Sequence, residues 1–341
     1  MRLLVVLPEL ISSVERTALV RLAQRRPRLA QLPAIRRRVI HPALYTDVAW
    51  GGSLNNMRQA AIARSLGLDS RLVCPSGRDT YGRFSVVDLP WLRWDARRDD
   101  DIVLLPDFCS DLADQVRGPA IVYLQSPLQL RRDFDYRRHE LRLWANSPYM
   151  RRLAEQAYPG KPVEIAPIIV DDRMFPFLPQ PDREPGLLFA FPRKGPDFIE
   201  ATQAHYARLG GTYWRFERID GLPLSELAQR MRRPQAFLAS AEIEGCALPP
   251  QESMAAGIVV VGRSARRANF QMRHRETAMV AETPEEAAAC LRELENAELR
   301  VAITRTAFES IRRFFPANEP TAHWRATLSS LGMAPADRPN G

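Results

Sequence analysis

A chain of 341 residues exceeds what one ordinary hydrophobic core supports, so two domains are expected. Its formal net charge of +8 suits nucleic acid, an anionic membrane or phosphate-bearing ligands, and charge alone does not choose among them. No run of about 18 apolar residues predicts a membrane-spanning helix. The four cysteines are dispersed without a C-x-x-C pair, which argues against a disulfide framework or a zinc site.

Residues 1–38 are predicted to form a basic helical extension. Pro8 and Glu9 interrupt the apolar N-terminus, which we do not interpret as a secretion signal, so a cytoplasmic protein is expected. Ser12 and Glu15 stand at capping-box spacing, and apolar residues then recur at helical intervals among arginines. Such a helix could lie on an anionic membrane at its inner face, or pack on the domain with its arginines in water.

Two further regions alternate short apolar runs with helical periodicity. The first covers residues 39–174 and the second residues 184–312, and the Pro-rich stretch Phe175–Pro185 separates them. Residues 313–333 are predicted to form a C-terminal helical segment. Strand–helix–strand repetition is typical of parallel sheets covered by helices, which bind ligands at the carboxyl ends of their strands. The pattern therefore predicts two doubly wound α/β domains with a cleft between them.

The segment EGCALPPQESMAAG, residues 244–257, carries the most specific signal. It lies between a predicted strand and a predicted helix and places Glu244 and Glu252 eight residues apart. Small residues permit close approach to the backbone, and a helix N-terminus offers amides and a positive dipole end to a diphosphate. Because carboxylates accept hydrogen bonds from vicinal hydroxyls, this loop can hold a nucleotide sugar.

The whole segment resembles the E-x7-E signature of GT-B glycosyltransferases of family 4, E-G-F-G-L-P-x-x-E-A-M-A-x-G. The resemblance implies that Glu244 contacts the donor sugar and that Glu252 contacts the ribose of the nucleotide. It also implies a loop whose amides face the sugar and the diphosphate. Those amides belong to Gly245, Cys246, Ala247 and Leu248. Cys246 and Ala247 stand where the family usually has Phe and Gly.

Other segments extend the resemblance over about residues 38–331. FPRKG lies at the first strand-to-helix turn of the second domain, where the family binds the diphosphate with cations, here Arg193 and Lys194. Gly51 and Gly52 before a helix look like the family's glycine loop, which approaches the donor phosphate. The helix that carries Trp324 resembles the C-terminal helix that crosses back to the first domain.

The resemblance implies a retaining transferase that needs no metal ion, and no Asp-x-Asp motif is evident at a strand end. Amides with Arg193 and Lys194 can stabilise a leaving diphosphate. Many relatives carry a His after the fourth strand of the first domain, where this chain has Gln125. Gln125 can hydrogen-bond the donor sugar but cannot act as a general base. His41 and Asp47 are candidates on the acceptor side.

The expected fold is GT-B, with two Rossmann-like domains facing a central cleft. The expected function is transfer of a sugar from a nucleotide-diphosphate sugar to a glycan or lipid-linked acceptor, in bacterial surface polysaccharide synthesis. Alternatives stay open: a sugar-nucleotide epimerase or phosphorylase of the same fold, a nucleotide-sugar-binding protein without catalysis, and an Arg-rich nucleic-acid binder. No helix-turn-helix, zinc-finger or RNP signature supports the last, so no nucleic-acid partner is expected.

Overall fold

The structure is a computed structural model in which the chain forms two α/β units, each built on its own parallel sheet. The described residues are 1–7, 51–75, 87–130, 134–137 and 141–333. The prediction of two doubly wound α/β domains is confirmed. No helix in the described part of the chain is long and apolar enough to cross a bilayer.

The first unit has a seven-stranded sheet in the order β3-β2-β1-β4-β5-β6-β7, with all neighbouring strands parallel. Its strands are β1 Arg2–Val6, β2 Asp69–Cys74, β3 Trp91–Arg93, β4 Ile102–Pro106, β5 Ala120–Leu124, β6 Leu141–Ala145 and β7 Val163–Ile165. Helix α1 (Gly51–Ser65) covers one face and helix α2 (Pro148–Ala157) covers the other. Alternate residues of β1 point to opposite faces, so Leu3 packs on the α1 side and Leu4 on the α2 side.

Strand β1 corrects the predicted boundary of the N-terminal extension. Residues 1–38 were assigned to that extension, yet β1 pairs with β2 and β4 in the middle of the first sheet. The residues from Leu3 to Leu7 are completely buried. Such an unbroken apolar run is typical of a parallel strand that is covered on both faces. The rest of the predicted extension, residues 8–38, lies outside the described residues.

The second unit has a five-stranded parallel sheet in the order β12-β11-β10-β8-β9. Its strands are β8 Glu184–Ala190, β9 Arg215–Arg218, β10 Pro234–Ala239, β11 Val259–Gly262 and β12 Met279–Val280. Its helices are α3 Pro196–Arg208, α4 Leu224–Arg230, α5 Leu248–Ala256, α6 Pro284–Glu293 and α7 Ala297–Phe314. The chain leaves β8 for β9 on one side and returns to β10 on the other, so a topological switch point lies between β8 and β10.

A last helix, α8 (Glu319–Ser330), returns to the first unit. Trp324 is completely buried in the first unit's core and meets Trp144 edge-on, with ring centroids 5.1 Å apart. Its indole Nε1 donates to Oε1 of Gln59 at 2.7 Å.

Helix α7 continues to Phe314, just beyond the predicted boundary between residues 312 and 313, and Phe315 packs in the core of the second unit. Pro316 disfavours further helix at the residue before it, so the crossing starts there.

Candidate active site

The two units meet where loops leave the carboxyl ends of their strands. Gly245, in the loop between β10 and α5, lies against Gln125, which follows β5. A Cβ atom at position 245 would stand 2.1 Å from the carbonyl oxygen of Gln125, so this approach requires glycine. Ser147, after β6, donates its hydroxyl to the carbonyl oxygen of Gly245 at 2.6 Å. The predicted sugar-binding loop therefore lies at the boundary between the two units.

Glu244 and Lys194 form an ion pair at the switch point of the second sheet. Lys194 Nζ lies 2.5 Å from Glu244 Oε1, and the side chains are 41% and 13% exposed. They come from the loops after β8 and β10, which are neighbouring strands. Arg193, beside Lys194, is exposed and interacts electrostatically with Glu244 and with Asp220. The structure thus brings together Glu244, which the resemblance assigns to the donor sugar, with Arg193 and Lys194, which it assigns to the diphosphate.

The second glutamate of the signature lies inside the interface. Glu252 is 5% exposed and Arg58, on α1 of the other unit, is 7% exposed. Both Nη1 and Nη2 of Arg58 lie 3.1 Å from Glu252 Oε1. Arg58 Nη1 also donates to the carbonyl oxygen of Ile169 at 2.7 Å. Burial raises the pKa of Glu252, the nearby Asp171 raises it further, and the Arg58 cation opposes the rise.

The N-terminus of α5 is less open than the sequence suggests. Ala247 is the N-cap residue, and its N–H donates to Oδ1 of Asn269 at 3.0 Å. A phosphate oxygen that used this amide would have to displace that side chain. Cys246 and Leu248, on either side, are buried, and burial raises the pKa of the Cys246 thiol.

Gln125 is anchored to the first turns of α1 by side-chain amides. Its Nε2 donates to Asn56 Oδ1 at 2.9 Å, and its Oε1 accepts from Asn55 Nδ2 at 3.2 Å. Nε2 also lies 3.4 Å from the carbonyl oxygen of Gly52. Asp107, after β4, accepts from the backbone N–H of Gln125 at 3.0 Å. This arrangement needs a side chain that both donates and accepts, as an amide does.

Gly51 and Gly52 lie in the first turn of α1 and not in a separate loop before it. Neither has a positive φ, so backbone freedom does not explain them. A Cβ at Gly51 would stand 3.6 Å from Cδ1 of Leu248, which is an ordinary contact. The two acceptor-side candidates, His41 and Asp47, lie outside the described residues.

Three contributors to this site escaped sequence reasoning. No feature of the sequence distinguishes Arg58 from the chain's other arginines, and its contact with Glu252 is seen only in the fold. Asn269 is 22 residues beyond Ala247 and has no local signature. Ser147 caps helix α2 by accepting a hydrogen bond from Met150 N, and its second role at Gly245 follows from tertiary contact.

Comparison with known proteins gives the fold a name. Neither a family model nor a curated protein matches this sequence. Among solved structures, sucrose-phosphate synthase from Thermosynechococcus elongatus superposes with a TM-score of 0.63 at 10% identity, over 97% of this chain and 99% of that one. WaaG, a glycosyltransferase involved in lipopolysaccharide biosynthesis, superposes with a TM-score of 0.55 at 14% identity, over 83% and 98%.

A third similar structure is the pneumococcal O-GlcNAc transferase GtfA in complex with UDP and GlcNAc. It superposes with a TM-score of 0.51 at 12% identity, over 69% of this chain and 57% of that one. This chain therefore spans little more than half the length of GtfA. The fold is GT-B. The predicted architecture is confirmed, and at these identities the similarity extends to the fold alone.

Proposed function

We propose that this chain is a glycosyltransferase that binds a nucleotide-diphosphate sugar between its two units and transfers the sugar to an acceptor. The ion pair of Lys194 and Glu244 carries the proposal. It sets a phosphate-binding cation beside a carboxylate that can accept hydrogen bonds from sugar hydroxyls. Both lie at the topological switch point of a doubly wound sheet, the usual ligand position in such folds.

Donor binding exchanges the partners within this pair. Without a donor, Lys194 and Glu244 neutralise each other. With a donor, the ammonium group turns to the diphosphate and Glu244 accepts from the sugar. As the bond from the anomeric carbon to the phosphate oxygen breaks, negative charge grows on the leaving phosphate, and Lys194 and Arg193 stabilise that charge. Glu252 holds the ribose in this proposal, and Gln125 hydrogen-bonds the donor sugar.

The reaction is proposed to retain anomeric configuration without a metal ion. A leaving phosphate oxygen can take the proton of the acceptor hydroxyl on the same face of the sugar. This route suits Gln125, which cannot remove a proton. The proposed acceptor is a glycan or lipid-linked sugar of bacterial surface polysaccharide synthesis. The involvement of the structural neighbour WaaG in lipopolysaccharide biosynthesis and the net charge of +8, suited to an anionic carrier, support this class.

The test is a turnover assay with a panel of nucleotide sugars, with and without candidate glycan acceptors, in the presence of EDTA. We expect release of nucleoside diphosphate for one donor, accelerated by acceptor and unaffected by EDTA. Lys194→Met should lower kcat by roughly 100-fold, since one electrostatic contact to a developing charge is worth about 10²–10³.

Arg273→Met is the matched control, because its side chain is also 41% exposed and pairs with a glutamate, Glu276, at 2.6 Å. Its kcat should equal that of the wild type. Tight donor binding without turnover would favour the non-catalytic binding protein, and conversion of one nucleotide sugar to another would favour the epimerase. Failure to bind any nucleotide sugar would refute both the transferase and these alternatives.

A further inference from the structure

The ion pair between Arg58 and Glu252 joins the two units through buried charge. Arg58 lies on α1 of the first unit and Glu252 on α5 of the second. Both nitrogens of the Arg58 fork donate to one oxygen of Glu252, and Nη1 also reaches the carbonyl oxygen of Ile169. The guanidinium is therefore fixed in place by partners on both sides, and Arg58 plays no part in the transfer mechanism outlined above.

A buried carboxylate is costly unless a cation accompanies it. Burial and the negative charge of Asp171 both favour the protonated form of Glu252, and Arg58 counteracts them by attraction and by hydrogen bonding. Without Arg58 the carboxyl group would take up a proton or move towards water. Arg58 thus favours the ionised form of Glu252, which accepts hydrogen bonds with both oxygens.

The two oxygens of Glu252 are not equivalent. Oε1 accepts both bonds from Arg58, whereas Oε2 has no hydrogen bond to any residue in the described part of the chain. The side chain retains 6% exposure. One oxygen is therefore held by the protein, and the other keeps its capacity to accept a hydroxyl from a ligand.

We infer that Arg58 is a positioning residue of the donor site: it holds Glu252 by Oε1 so that Oε2 accepts the ribose hydroxyls of a nucleoside diphosphate. The inference rests on the proposed function, which assigns Glu252 to the ribose. It adds that the ribose contact depends on both units, because the cation comes from the first and the carboxylate from the second. Binding of the ribose then depends on the contact between the two units.

The test compares ribose discrimination between variants by titration calorimetry. UDP, GDP and ADP are titrated first, and the tightest binder is then compared with its 2′,3′-dideoxy analogue. In the wild type we expect the hydroxyl-bearing form to bind at least about tenfold tighter, as hydrogen bonds to a charged group imply. In Arg58→Met this ratio should fall to within about threefold of unity. Arg58→Lys, which keeps a cation without the fork, should give an intermediate ratio.

Arg183→Met is the control for general loss of stability. Arg183 is 3% exposed and donates to backbone carbonyl oxygens of Leu178, Met231, Arg232, Pro234 and Ala256, and it has no hydrogen bond to Glu252. This variant should lower the melting temperature yet keep the wild-type ratio.

An unchanged ratio in Arg58→Met, with only a lower melting temperature, would reduce Arg58 to a structural role and overturn the inference. If Arg58→Met does not fold, Arg58→Lys decides: a ratio at least about threefold below wild type supports the inference, and an unchanged ratio overturns it. Absence of binding by the wild type would instead refute the proposed function. The two failures are therefore distinguishable.

Discussion

A methyl group at position 245 would meet the backbone of the opposite unit. In Gly245→Ala the new Cβ would lie 2.1 Å from the carbonyl oxygen of Gln125 and 2.9 Å from Cγ of Met150, and real Cβ contacts essentially never fall under 3.0 Å. The nearest atom belongs to the backbone, so the two loops must separate by about 1 Å. Overpacking of this kind costs about 1–3 kcal/mol. Loss of the bond from the Ser147 hydroxyl adds about 1 kcal/mol.

We therefore expect Gly245→Ala to lower the free energy of unfolding by about 2–4 kcal/mol and to raise the donor KM. Urea denaturation of the full chain measures the first quantity. Gly51→Ala is the control for the free energy of unfolding alone, because its Cβ would make an ordinary 3.6 Å contact with Leu248. A free energy of unfolding for Gly245→Ala within about 0.5 kcal/mol of the wild type would show that the loops do not meet as described.

Three further predictions concern stability. Burial lowers the pKa of His323 from 6.5 to about 4, so the unfolded chain binds the proton first. The contribution of His323 to the free energy of unfolding should be fully present above pH 6.5 and should fall by up to about 3 kcal/mol towards pH 4. Denaturation at several pH values should show a flatter pH dependence for His323→Gln. Trp324→Ala should lower the free energy of unfolding, measured by calorimetry, by about 3–5 kcal/mol, because a completely buried side chain is lost. Gln125→Glu should lower the free energy of unfolding, measured by urea denaturation, by about 1–3 kcal/mol, because its new oxygen would face Asn56 Oδ1. An unchanged urea midpoint would contradict the described amide network.

Local chemistry made much of the fold predictable from the sequence. Ser147 and Thr283 precede helices α2 and α6 and cap them, with Thr283 forming a capping box with Glu286. The signature loop was placed correctly between a strand and a helix, because its glycine, prolines and small residues act over short sequence distances. Strand β1 was missed because an unbroken apolar run has no periodicity that separates a buried strand from other apolar segments.

The residues of the site that could be predicted are those that belong to a motif within a single loop. Lys194 and Glu244 could each be assigned from local motifs, and their pairing follows from β8 and β10 being neighbours. Arg58 and Asn269 could not be assigned, because nothing near them in the sequence indicates a partner. Contacts across 194 residues, as between Arg58 and Glu252, depend on the packing of whole units.

The return of α8 to the first unit affects the order in which the protein can be completed during synthesis. Residues 184–315 are continuous in sequence, so the second core can close as soon as they leave the ribosome. The first core is complete only when Trp324 has been added, and Trp324 is translated after that whole stretch. Until then, Trp144 and Gln59 would lack their contacts with Trp324, and a nascent chain would expose an unfinished apolar surface beside a finished neighbour.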